Sequence, residues 1–307
     1  MRSELLEAPP ADAKRLANEI ARRHGRAVAA VLFYGSCLRR RTSEGVLDFY
    51  ALVDRYRDAY HSRALAWANA ALPPNVFYLE VASGAEPLRA KYAVVSLRDF
   101  ERGARPGGIR SGIWARFCQP ALAVYLRDDA AREAVVAAVA QCSVTAVSAA
   151  LAEPPLRART LRFSSADLWR RVLGNTYAAE LRPESPEAIQ RVFEATPERY
   201  DRIARAVLAS LGGEVRGEPG SIEAVMPADW EPPRSRFARL RRAAAKLVYA
   251  LQLLKSAATF GDWLPYVLWK LERHTGTKIV PSERQRRFPF LFGWPLLVKV
   301  LWQRDLR

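Results

Sequence analysis

The chain has 307 residues, half of them hydrophobic, and a formal net charge of +16. That length and apolar fraction exclude a disordered tail and point to two folded domains, or one domain with an appendage. The charge implies an anionic partner, nucleic acid or an anionic lipid surface. It is also concentrated, because residues 231–307 carry 16 Lys or Arg against 5 Asp or Glu, a net +11.

The three cysteines, Cys37, Cys118 and Cys142, are far apart and show no metal-ligand spacing. An odd, scattered set argues against a disulfide framework and for a reducing compartment. The opening stretch MRSELLEAPPADAK lacks the apolar core of a signal peptide, and no run reaches the roughly 18–20 apolar residues of a membrane span. The expectation is a cytoplasmic protein, peripheral on the inner face of the cell membrane.

In chain order, residues 10–24 read as an amphipathic helix with Pro10 near its first turn and Leu16 and Ile20 on one face. Residues 27–34 form a buried strand that ends in Gly35-Ser36 and a short basic loop. Residues 46–53 form a second strand, with Leu47, Phe49, Ala51 and Val53 on one face and Asp48, Tyr50 and Leu52 on the other. A helix over 59–71 ends at Pro73-Pro74, and strands are expected over 75–81, 91–95 and 121–126. Residues 103–112 read as a flexible loop. From residue 128 helices take over, at 128–141, 143–151, 164–173 and 186–211, and 214–233 reads as a Gly-, Pro- and acid-rich linker. A last helix, 236–256, has apolar residues at 237, 240, 244, 247, 248, 251 and 254, and the run FPFLFGWPLLVKVLW follows Arg284–Arg287. Interfacial membrane segments combine such aromatics with flanking arginine.

Val31 to Asp54 carries the chemistry. A strand ending in Gly-Ser, followed by a strand bearing Asp48, sets a backbone turn that can cradle phosphates beside a carboxylate that can hold magnesium. Nucleotidyl transfer uses that pair. A generic polymerase-β-like site has a second carboxylate two residues on, where this chain has Tyr50. Asp54 lies on the same side of the strand, but about 20 Å from Asp48 if the strand is extended. Glu80 and Glu86 are the other nearby acids.

The run FYGSCLRR, then LDFYALVD, then Tyr60-His61, resembles the mitochondrial translocator-assembly-and-maintenance family of phosphatidate cytidylyltransferases. Tyr34, Gly35, Ser36, Asp48, Phe49, Val53, Asp54 and His61 fall at matching positions. Val76-Phe77-Tyr78 is similar to that family's VYY, LRAKYAVVS (88–96) to its LIKYGVIS, and Ala115-Arg116-Phe117 followed by Pro120 to its GRL…P. The stretch between Asn69 and Val76 lacks the family's His-Tyr-Ser segment.

The resemblance implies a polymerase-β-like nucleotidyltransferase mixed sheet, and together with the pattern along the chain the expectation is an α+β fold: a nucleotidyltransferase domain over 1–127, a helical domain over 128–213, a linker over 214–233 and a basic amphipathic tail over 234–307. It implies transfer of CMP from CTP to phosphatidic acid, with Mg²⁺. Asp48, Ser36 and Lys91 would be catalytic, and Gly35, Ser36, Arg116, His61 and Arg39 would bind substrate, with Arg40 and Arg41 nearby. Asp48 and Asp54 would hold the metal. The tail would meet an anionic membrane surface; nucleic acid is a weaker partner, because no nucleic-acid module signature is present. Two other readings stay open: a nucleotidyltransferase acting on a polar small molecule or RNA end, and an inactive relative that binds membranes or nucleic acid.

Overall fold

The first long helix of the chain sets how the sheet is covered. The computed structural model describes residues 1–84, 87–106, 112–153, 156, 158–179 and 185–231, together with Val248, Leu251, Gln252 and Lys255. After α1 (Arg2–Leu5), α2 (Ala11–His24) buries Ala13, Leu16, Ala17 and Ile20 on one stripe, as its spacing predicts. It lies over β1 (Val28–Tyr34), β2 (Val46–Val53), β4 (Leu88–Ser96) and β5 (Ala121–Leu126).

The five-stranded sheet runs β3-β4-β2-β1-β5, with β3 at Asn75–Val81. β2 and β4 pair in parallel and every other pair is antiparallel, so the sheet is mixed and the protein is α+β. Side-chain alternation along β2 splits the core in two. Leu47, Phe49, Ala51 and Val53 face α2, whereas Tyr50 and Leu52 face α6 (Leu97–Ala104), α7 (Gly112–Phe117) and α8 (Asp129–Leu151).

Several sequence expectations change. The basic stretch after Gly35 is a short helix, α3 (Ser36–Arg40), not a loop. The helix expected over 59–71 is two, α4 (Tyr56–Ala59) and α5 (Arg63–Ala71), because the Ser62 hydroxyl caps α5 by accepting from the Leu65 N–H. Of the expected loop 103–112, residues 103–104 belong to the helix 97–104, residue 112 opens the helix 112–117, and 107–111 lie outside the described residues.

Asp129–Leu151 is one continuous 23-residue helix, with no break at Cys142. Contrary to the sequence expectation it is long and apolar enough to cross a bilayer, yet most of that stretch is buried. The reason is its position between two cores. Val135, Ala138, Val139 and Cys142 pack under the five-stranded sheet, while Ala146, Val147, Ala150 and Leu151 pack into the second unit. A helix buried on all sides is apolar around its whole circumference.

That second unit is not purely helical, and within the stretch expected as a linker residues 214–225 form a hairpin, while 232 and 233 lie outside the described residues. β6 (Thr160–Ser164), β7 (Glu214–Arg216) and β8 (Ser221–Val225) form an antiparallel sheet ordered β6-β8-β7. Ile222 and Ala224 alternate inward, and Gly217 and Gly220, both at positive φ, make the β7–β8 turn. Helices α9 (Ser165–Ala179), α10 (Pro186–Glu194) and α11 (Pro197–Ser210) complete it. The expected 186–211 helix divides where Pro197 opens α11. Of the tail, Val248, Leu251, Gln252 and Lys255 are helical; the other tail expectations lie outside the described residues.

Candidate functional site

Strand register brings the site together. Tyr34 on β1 stands opposite Asp48 on β2, Asp48 opposite Lys91 on β4, and Lys91 opposite Tyr78 on β3. Directly paired residues share a face, so Tyr34, Asp48, Lys91 and Tyr78 form one row across four strands. The next row inward is apolar apart from one hydroxyl: Leu32, Tyr50, Ala93 and Val76. The polar row is thus the rim of the core that α6, α7 and α8 cover.

Gly35 ends β1 against this row. Its φ is +93°, a conformation that favours glycine, and a β-carbon there would lie 3.0 Å from Asp48 Oδ2. The backbone therefore approaches the carboxylate as closely as a residue without a side chain permits. Ser36, the first residue of α3, is exposed beside it. Burial pushes the neighbouring Cys37 thiol up, and the negative charge of Asp48 adds to that while Arg40 opposes it. Its Sγ faces the carbonyls of Glu44 and Val46, so it serves to close the α3–β2 turn.

Tyr50, in the position of the expected second carboxylate, is buried among aromatic rings. Its ring meets Phe117 edge-on at 5.1 Å and Tyr34 at 5.5 Å between centroids. Arg116 on α7 donates to the Gly112 carbonyl at 2.8 Å and reaches the Tyr50 hydroxyl at 3.5 Å. Arg39 on α3 donates to Gln119 Oε1 at 3.2 Å, and the Gln119 amide in turn donates to the Ala115 carbonyl. Through these bonds α7 and the turn after it hold two guanidinium groups next to the Asp48 row.

Two expected site residues are not brought there. Asp54 follows the far end of β2, where its carboxylate is gripped by Arg127, which also pairs with Asp128. The two acids pull the Arg127 guanidinium pKa upward. Asp54 is thus a structural ion-pair partner and not a second metal ligand with Asp48. His61 is exposed between α4 and α5, beyond that same end of the strand. Glu80 accepts from the Tyr78 hydroxyl at 2.6 Å and pairs with Arg89 at 3.4 Å, and Glu86 lies outside the described residues.

Sequence reasoning missed Tyr78 and Gln119 as members of the site. Tyr78 is one strand removed from Lys91, a relation that only register reveals. Gln119 acts through Arg39 and carries no motif of its own.

Among the described residues no group of three or more His, Cys, Asp or Glu side chains is arranged to hold a metal ion. Asp48 is the carboxylate of the row. Magnesium commonly takes one or two protein carboxylates and completes its shell with water and substrate phosphates. The donor set therefore suits an ion that arrives with a polyphosphate, and does not suit a free-standing metal centre. In comparisons with known proteins, no family model matches the chain and no curated protein is similar enough to count as a match.

Proposed function

We propose that the protein is a nucleotidyltransferase with a polymerase-β-like mixed sheet, which transfers CMP from CTP to phosphatidic acid and yields CDP-diacylglycerol and pyrophosphate. The observation that carries this reading is the seating of the Gly35 backbone against the Asp48 carboxylate, with Ser36 opening a helix beside it and Lys91 next in the row. The sequence resemblance supports the choice of nucleotide and acceptor.

In this reading the Gly35 N–H and Ser36 hydroxyl hold the β- and γ-phosphates. Asp48 would hold magnesium, which when bound supplies charge neutralisation on the triphosphate. Lys91 and Arg116 offset negative charge as the two anionic reactants approach, and Gln119 keeps Arg39 oriented toward the same end of the sheet. The phosphatidate phosphomonoester is already an anion near neutral pH. Its oxygen attacks the α-phosphorus, the bond to pyrophosphate breaks, and no strong general base is needed. Positioning and electrostatics then supply the rate. The same reading places the protein on the cytoplasmic face of an anionic membrane, reached through its basic C-terminal region.

The test is pyrophosphate release by the purified full chain with Mg²⁺, each of the four nucleoside triphosphates in turn, and phosphatidic acid in mixed micelles. Release with CTP that requires the lipid and is abolished in Asp48→Ala is the expected result. Turnover without lipid overturns the acceptor and favours a polar small molecule or RNA end. Failure to bind any nucleotide overturns the enzymatic reading.

A further inference from the structure

The α4–α5 segment builds a second surface, beyond the end of β2 opposite to Asp48. A groove of about 630 Å³ there is lined by Arg55, Tyr56, Arg57, Tyr60, Arg63 and Trp67. Trp67 is 75% exposed, the most exposed large hydrophobic side chain among the described residues. Its exposure is not fraying. On the opposite side of α5, Asn69 is fully buried, where its amide donates to the Val94 carbonyl and the Tyr60 hydroxyl and its oxygen accepts from the Asn75 N–H. With the helix pinned this way, Arg63, Ala64, Trp67, Ala70 and Ala71 all face outward. That face is apolar except at its arginine end.

The tyrosine hydroxyls of the groove are engaged within the protein. Tyr56 donates to Asp99 at 2.7 Å and Tyr60 accepts from Asn69, so the groove itself presents aromatic rings under an arginine rim. Arg55, Arg57 and Arg63 are exposed, and the one acid on α4, Asp58, pairs with Arg57 at 3.5 Å. An exposed indole beside several arginines is the composition of an interfacial lipid contact: the amphipathic ring sits at headgroup depth and the cations attract anionic headgroups.

The surroundings favour a lipid surface over a soluble partner. Gln252 and Lys255 donate to the carbonyls of Pro73 and Leu72, the two residues that follow α5. Two residues from the strongly basic C-terminal quarter of the sequence, one of them the cation Lys255, thus sit where the Trp67 face ends. α5 also packs against β3, the edge strand whose Tyr78 stands in the Asp48 row.

We propose that the α4–α5 face docks on an anionic lipid surface, with Trp67 entering the headgroup layer and Arg55, Arg57 and Arg63 pairing with lipid phosphates. This contact is independent of the reaction at Asp48 and is additional to any made by the C-terminal segment.

The experiment uses the full chain with phosphatidylcholine vesicles, with and without phosphatidylserine. Two readouts are needed: co-sedimentation, and the tryptophan emission that distinguishes the wild type from Trp67→Phe. That emission is expected to shift to shorter wavelength on anionic vesicles and to be quenched by brominated lipid. Each arginine is expected to contribute about fivefold to partitioning, so the triple variant Arg55→Gln/Arg57→Gln/Arg63→Gln should bind roughly a hundredfold more weakly. All four positions are exposed, so thermal melts of the variants should match the wild type. Unchanged Trp67 emission together with wild-type sedimentation of the triple variant overturns the proposal. So does a triple variant that loses single-stranded oligonucleotide binding but keeps vesicle binding, since the face would then be a nucleic-acid surface.

Discussion

Gly35 and Asp48 are fitted to one another as backbone and carboxylate: Gly35 holds φ at +93°, and any β-carbon it carried would stand 3.0 Å from Asp48 Oδ2. Gly35→Ala therefore meets two penalties, a positive-φ extended conformation (ψ −162°) that is nearly confined to glycine and costs about 1–3 kcal/mol, and a displaced carboxylate. We expect nucleotide affinity, measured by isothermal titration, to fall by more than the loss of stability accounts for. An alanine variant that binds CTP as tightly as the wild type would remove Gly35 from the site.

Asp48 and Asp54, alike in sequence context, separate in function. Asp54 and Arg127 are both more than a third exposed on their side chains or nearly so, and such pairs contribute about 0–1 kcal/mol. Asp54→Asn should thus lower the melting temperature slightly and leave pyrophosphate release close to the wild-type rate, in contrast to Asp48→Ala. Equal loss in both variants would restore Asp54 to the metal site.

Tyr50 occupies a packing position and not a vacant ligand position. Replacing it with aspartate deletes a ring held between Tyr34, Phe100 and Phe117, at a cost of about 3–5 kcal/mol from lost volume alone. Tyr50→Phe keeps the ring and removes the hydroxyl that Arg116 reaches at 3.5 Å, so it should cost less, about 1 kcal/mol. Urea denaturation of the two variants checks the ordering, and an aspartate variant as stable as the wild type would contradict it.

His24 couples the far side of the sheet to pH. Its Nδ1–H donates to the Ala59 carbonyl at 2.8 Å, and Nε2 lies 3.3 Å from the Tyr92 hydroxyl, where the neutral ring can accept. Tyr60, Phe77 and Tyr92 surround it, and Arg23 is the charged neighbour. Burial lowers its pKa, with Arg23 adding to the shift and the Ala59 bond opposing it. In the unfolded chain the imidazole takes up its proton near pH 6.5. Below that pH the unfolded state binds more protons than the folded one, so stability is full above it and falls as the solution is acidified. His24→Phe should be about 1 kcal/mol less stable at neutral pH but show a flatter decline on acidification, measured by thermal melts across that range.

The particular elements show why some features could be read early. The α2 stripe and the β2 alternation are local periodicities, and each appears in the structure as the sequence predicts. The β7–β8 hairpin was obscured because its strands are short and its turn glycines and acids dominate the composition of that stretch. The split of 186–211 at Pro197 was written in the chain but outweighed by the helical periodicity on either side.

By itself the sequence determined the apolar patterns, the turn glycine, the carboxylate beside it and the basic excess, because these depend on residue type and spacing alone. Tertiary structure decided which charges meet. Parallel pairing of β2 with β4 sets Lys91 beside Asp48, although 43 residues separate them in the chain. The length of β2 carries Asp54 away to Arg127, and the packing of α7 on the sheet encloses Tyr50 and brings Arg116 to it. Register and burial are properties of paired strands and packed helices, and no single stretch of the chain contains them.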